Sequence, residues 1–81
     1  MEKSIKIWEN RLKISKDDDG YMIVDTKLDL FIYMDKLTRS QCDYEKGWLM
    51  FYNGSNTYIG SLWISTDTDM KKVKTFLEET K

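Results

Sequence analysis

The chain has 81 residues, of which 41% are hydrophobic, 14% aromatic and 33% charged, with a formal net charge of −1. That length makes one domain with a thin core, and the composition excludes a disordered chain. The slightly acidic balance removes the bulk electrostatic drive toward nucleic acid, and a lone cysteine, Cys42, excludes an intrachain disulfide.

The first segment reads two ways. Ile5, Trp8 and Leu12 fall at helical spacing behind Ser4 as a cap, whereas Ile5 and Ile7, then Leu12 and Ile14, alternate as two short strands around Glu9-Asn10. The strand reading is preferred. Arg11 to Ser15 and Tyr21 to Asp25 then flank Lys16-Asp17-Asp18-Asp19-Gly20, where Asp-Gly turn chemistry predicts a hairpin. Leu28, Leu30, Ile32 and Met34 alternate with Asp29, Phe31, Tyr33 and Asp35. On a helical wheel the apolar residues of this stretch go all round, so a strand accounts for them better. Thr26 with Asp29 resembles a capping box and keeps a helix as the second reading.

Residues 38–47 are polar and turn-like. Trp48 to Tyr52 and Thr57 to Ile64 flank Asn53-Gly54-Ser55-Asn56, the strongest hairpin signal in the chain. Alternation divides this hairpin into two apolar faces. Leu49, Phe51, Tyr58, Gly60, Leu62 and Ile64 share one; Trp48, Met50, Tyr52, Thr57, Ile59, Ser61 and Trp63 share the other. Ser65-Thr66-Asp67-Thr68-Asp69 is a run of capping residues, after which Met70, Val73, Phe76 and Leu77 form a helical stripe.

The expected fold is α+β: one domain over 1–81, an antiparallel meander of about five strands with the C-terminal helix packed on one sheet face. Gly60, without a side chain, leaves room for that helix against Leu49, Phe51, Leu62 and Ile64.

Chemistry is sparse. There is no His to serve as general base or to activate Cys42, no phosphate-binding glycine loop, and no carboxylate pair fixed for acid–base work. Asp17-x-Asp19-Gly20 has part of a calcium-loop pattern, but Ser15 and Thr26 stand where its outer acids belong. The expectation is a non-enzyme without cofactor or metal. The start of the chain lacks the apolar core of a secretion signal and there is no long apolar run, which sets a cytoplasmic protein without a membrane as the default. The absence of Ala with eleven Lys and seven Ile is the composition of AT-rich coding sequence, as in a low-GC bacterium or its phages.

The function expected is therefore binding. Trp48, Met50, Tyr52, Ile59 and Trp63 are the candidate partner-binding residues, because aromatic and Met side chains on an uncharged patch match the composition of interface cores. The expected partner is a protein, inhibited or regulated by occlusion, with self-association through this face or an open sheet edge as a further possibility. Two other readings are a single-stranded nucleic-acid or nucleotide binder stacking bases on the same rings, and an acidic decoy of nucleic acid built on the eight acids from Asp17 to Glu45.

Overall fold

The computed structural model describes residues 3–80. Seven strands form two antiparallel sheets, followed by one helix. The first sheet is β1 (Lys3–Ile7), β2 (Leu12–Asp17), β3 (Gly20–Asp25) and β4 (Leu30–Asp35), in that order. The second is β5 (Arg39–Asp43), β6 (Trp48–Tyr52) and β7 (Tyr58–Trp63), and α1 spans Asp67–Glu79. The α+β antiparallel class is as the sequence predicts. The count of about five strands is not: seven are present, and they divide between two sheets. β5 is the strand hidden in the polar stretch 38–47.

The inward-facing residues of both sheets make one core with the helix. Ile7, Leu12, Ile14, Tyr21 and Ile23 come from the first sheet, Leu49 and Phe51 from the second, Ile64 from just beyond β7, and Val73 and Phe76 from α1. Burying each large side chain contributes about 1.5–3 kcal/mol, so this set exceeds the net stability of a domain of this size, the difference being offset by conformational entropy. Tyr21 joins the sheets. Its ring meets Phe51 edge-on, centroids 5.4 Å apart, and its hydroxyl lies 2.9 Å from Ser40 Oγ on β5.

The helix does not approach at Gly60, where a Cβ would meet nothing within 4 Å. It packs against β1 instead. The Trp8 N–H donates to Asp69 Oδ2 at 3.1 Å, and the Trp8 indole N–H donates to the Trp63 carbonyl at 3.2 Å. These contacts tie the first hairpin to the start of α1 and the end of β7. Trp8, Glu9 and Asn10 all sit in left-handed backbone in this turn, so the clasp holds a segment that would not choose that conformation alone. Thr66 is the N-cap, its hydroxyl accepting from Asp69 N at 3.1 Å, an interaction worth about 1 kcal/mol.

The turn of the β6–β7 hairpin also differs in detail from its motif. The left-handed residue is Asn56, not Gly54. Asn53 Oδ1 accepts from Ser55 N and Thr57 N, closing an Asx-type loop.

Arg11 and Asp25 clamp the far end of the first sheet through two bonds of 3.1 and 3.0 Å. Asp25 also accepts from Lys27 N and Leu28 N. The Arg11 guanidinium, followed by these amides, holds the Asp25 carboxyl below its ordinary range. A carboxyl depressed on folding stabilises the native state above its unfolded pKa, and that stability is lost as pH falls through the folded value. Asp25→Asn should therefore melt below the wild type at neutral pH, with the gap closing under acid conditions below about pH 4. A gap independent of pH in thermal melts would show that Asp25 acts through its turn bonds and not through its charge.

Candidate functional site

The outer face of the three-stranded sheet is built by register. β5 pairs with β6 so that Asp43, Gln41 and Arg39 stand opposite Trp48, Met50 and Tyr52. β6 pairs with β7 so that Trp48, Met50 and Tyr52 stand opposite Trp63, Ser61 and Tyr58. Three rows result: Asp43–Trp48–Trp63, Gln41–Met50–Ser61 and Arg39–Tyr52–Tyr58. Aromatic pairs occupy the two ends, with an acid outside one and a base outside the other.

Exposure follows the alternation of β6. Leu49 and Phe51 are buried while Trp48 is 38% exposed; across the pair Trp63 is 55% exposed. Met50 and Tyr52 are half-buried. Tyr52 and Tyr58 meet edge-on with centroids 5.9 Å apart, the Arg39 guanidinium lies 4.9 Å from the Tyr52 ring centre, and Arg39 Nη2 reaches Asn56 Oδ1. The Tyr58 hydroxyl is 2.7 Å from Ser61 Oγ, and the Tyr52 hydroxyl is turned to Met50 Sδ at 3.7 Å. Rings held by cross-strand neighbours lose little freedom on binding, which is what an interface anchor needs.

Four of the five candidate residues, Trp48, Met50, Tyr52 and Trp63, share this face. Ile59 does not. The register shifts between Phe51 and Tyr52, so Tyr58 faces Tyr52 and Ile59 becomes the unpaired bulge residue. Ile59 lines an apolar cleft of about 330 Å³ with Ile23, Ile32, Met34, Phe51 and Leu62, between the first sheet and β7. Tyr58 and Arg39 complete the outer face in its place. Gly60 in the run Tyr58-Ile59-Gly60-Ser61 is the one local signal of the bulge, and Arg39 reaches Tyr52 only through a strand the polar composition concealed.

The other chemistry-bearing residues are engaged in structure. Cys42 donates its thiol to Met70 Sδ at 3.4 Å, and burial, then Asp43, pushes that thiol up, away from the reactive thiolate. Asp17 Oδ1 accepts from Asp19 N in the β2–β3 turn. Among the described residues no three His, Cys, Asp or Glu side chains are grouped to hold a metal ion, and no helix is long and apolar enough to cross a membrane. The mid-chain acids are dispersed. Asp17, Asp19 and Asp35 line one hollow, Asp25 pairs with Arg11 at the opposite strand ends, and Asp43 belongs to the second sheet.

Comparison with protein-family models, with curated proteins and with solved structures finds no match to this chain.

Proposed function

We propose that the chain is a non-catalytic binding module whose outer β5–β7 face docks a protein partner. The observation that supports this reading is the pairing of Trp48 with Trp63 and Tyr52 with Tyr58 on a face that no element of the described residues covers, above a core that Leu49 and Phe51 already fill. These rings are covered in part by one another and keep Trp63 and Tyr58 more than half exposed. Docked against a partner they would supply the desolvated aromatic centre that dominates binding energy, with Asp43, Gln41 and Arg39 as a polar rim.

Trp63→Ala should leave the melting temperature within a few degrees of the wild type and abolish retention of the partner, identified by mass spectrometry of proteins captured from a host lysate. A large drop in melting temperature would show the ring to be a core residue. A folded variant that still captures the same partner would remove this face from function.

Arg39 stacked on Tyr52 favours a second reading, in which the face takes a single-stranded nucleic acid. Salt separates the two. Binding to phosphates weakens steeply between 50 and 200 mM salt, by orders of magnitude where several contacts form, whereas an apolar protein interface responds weakly.

A further inference from the structure

The aromatic face is not the most exposed apolar surface of the molecule. β4 is. Its residues Leu30, Phe31, Ile32 and Tyr33 are all exposed, Tyr33 at 74%, and Leu28 and Leu37 beyond its ends are exposed as well. The cause is topological. β4 is the last strand of its sheet and packs closely only against β3. Its inward side chains therefore open onto the cleft near Ile59, and its outward ones face solvent. An edge strand also leaves alternate N–H and C=O groups unpaired along its free side. Natural edges are usually blunted by Lys, Pro or a bulge, and the run Leu30-Phe31-Ile32-Tyr33-Met34 carries none of these.

At the opposite edge of the same sheet α1 packs against β1, and the Lys72 ammonium donates to the Lys6 carbonyl at 3.4 Å. Pairing with the same edge of another molecule closes about a two-fold axis, whereas pairing onto β1, β5 or β7 of another molecule would run on without closing.

We infer that β4 pairs antiparallel with β4 of a second copy of this chain, about a two-fold axis at Ile32, to give a continuous eight-stranded sheet. The register follows from geometry. Facing residues in an antiparallel sheet share a face, so the two-fold axis must pass through a residue that faces itself. Centred on Tyr33, the pairing sets Asp35 against Phe31 and Lys36 against Leu30. Centred on Phe31, it needs Asp29 in the strand, but Asp29 is left-handed with φ 55°. Centred on Ile32, it sets Leu30 against Met34 and Phe31 against Tyr33, five apolar residues with no charge among them.

Beyond the apolar run this register sets Asp29 of one copy opposite Asp35 of the other and Lys36 opposite Leu28, with Asp29 outside the strand in left-handed backbone. Asp35 Oδ1 is already turned into its own loop, accepting from Leu37 N and Thr38 Oγ1. The exposed side chains of Leu28, Leu30, Phe31, Ile32, Tyr33 and Leu37 offer on the order of 700 Å² per copy as the upper limit of what this pairing can cover, against roughly 800 Å² per partner in a standard stable interface. This dimer stands apart from the proposed partner face, which lies on the other sheet.

Sedimentation equilibrium tests it. The wild type should run at twice its 9.7 kDa mass. Phe31→Lys combined with Tyr33→Lys places like charges opposite each other twice and should weaken the dimer by about 100-fold or more. Phe31→Lys combined with Tyr33→Glu places opposite charges at the same positions and should restore it. Both pairs of changes lie at exposed sites, and thermal melts check that each variant is folded. A wild type that stays monomeric at about 1 mM, a dimer indifferent to both double variants, or a dimer lost equally in both, would overturn pairing about Ile32. Loss of the dimer on Trp63→Ala alone would overturn it too, and would assign self-association to the aromatic face.

Discussion

Gly20→Ala should lower stability by at least about 3 kcal/mol, the range of a severe backbone lesion, and the melting temperature by roughly 15 °C in a domain this size. Gly20 opens β3 with φ 129°, a conformation that L residues rarely adopt. A Cβ there would stand 2.0 Å from the Met34 carbonyl oxygen and 2.5 Å from the Asp35 carbonyl carbon. Both are main-chain atoms of β4, so no rotamer change relieves the overlap. The β2–β3 turn and the β3–β4 pairing would have to move together. Gly54 and Gly60 are the controls. A Cβ on Gly54 meets only the exposed Leu37 side chain, at 3.0 Å, and one on Gly60 meets nothing. Alanine at either should cost under about 1 kcal/mol. Equal melting temperatures for all three variants would show that β4 does not lie over Gly20 as described.

Leu49→Asp should abolish the cooperative thermal transition. Leu49 is 1% exposed, among the core residues shared by both sheets and the helix. A carboxylate there has no cation to pair with, and burying it costs several kcal/mol beyond the packing that is lost. The total is comparable to the whole stability of a chain of this length, about 4–12 kcal/mol. Leu62→Asp should be milder, because Leu62 lies at the open cleft and is only half-buried. Near-ultraviolet circular dichroism reports packing of the aromatic rings and should be lost in the first variant and retained in the second. A folded Leu49→Asp would mean that the faces of β6 are reversed.

The β6–β7 hairpin was the most legible part of the fold, because its turn residues and its alternation agree. They separated Leu49 and Phe51 from Trp48, Met50, Tyr52 and Trp63, but the choice of inner face rested on Gly60 as the point of helix approach, and the helix packs on β1 instead. The reading broke at Tyr58 and Ile59, where a bulge reverses the parity. A bulge is set by pairing across strands, and its one local signal, Gly60 inside a strand pattern, reads equally as room for the helix. β5 was hidden for a related reason. Arg39-Ser40-Gln41-Cys42-Asp43 is polar because the strand lies at an edge, and its strand character comes from hydrogen bonds to β6 across the short turn 44–47 and not from its own alternation.

β4 shows the opposite difficulty. Its apolar residues on both faces read as a strand, and the strand is there, yet such a run ordinarily signals burial on both sides. That both sides stay open here follows from a second sheet with one strand fewer than the first, a fact of topology that no window of sequence contains. At the helix, the cluster of capping residues gave the right place for a start, and the backbone path selects Thr66 from several competent side chains as the cap.

The Trp8 clasp also bears on how the molecule is made. Trp8 and Asp69 are separated by 61 positions, and Val73 and Phe76, which complete the core, come later still. A ribosome synthesises all seven strands before either residue exists. Until then Ile7 and Ile14 lack the helix that shares their core, the left-handed run at Trp8 has nothing to hold it, and the apolar β4 edge is already present. Closing so long a loop is entropically costly and is expected to come late in folding. The nascent chain therefore passes through a stage in which its stickiest strand is complete and its stabilising helix is not. That interval exposes the β4 edge without the helix that completes the core, the condition under which partly folded chains aggregate.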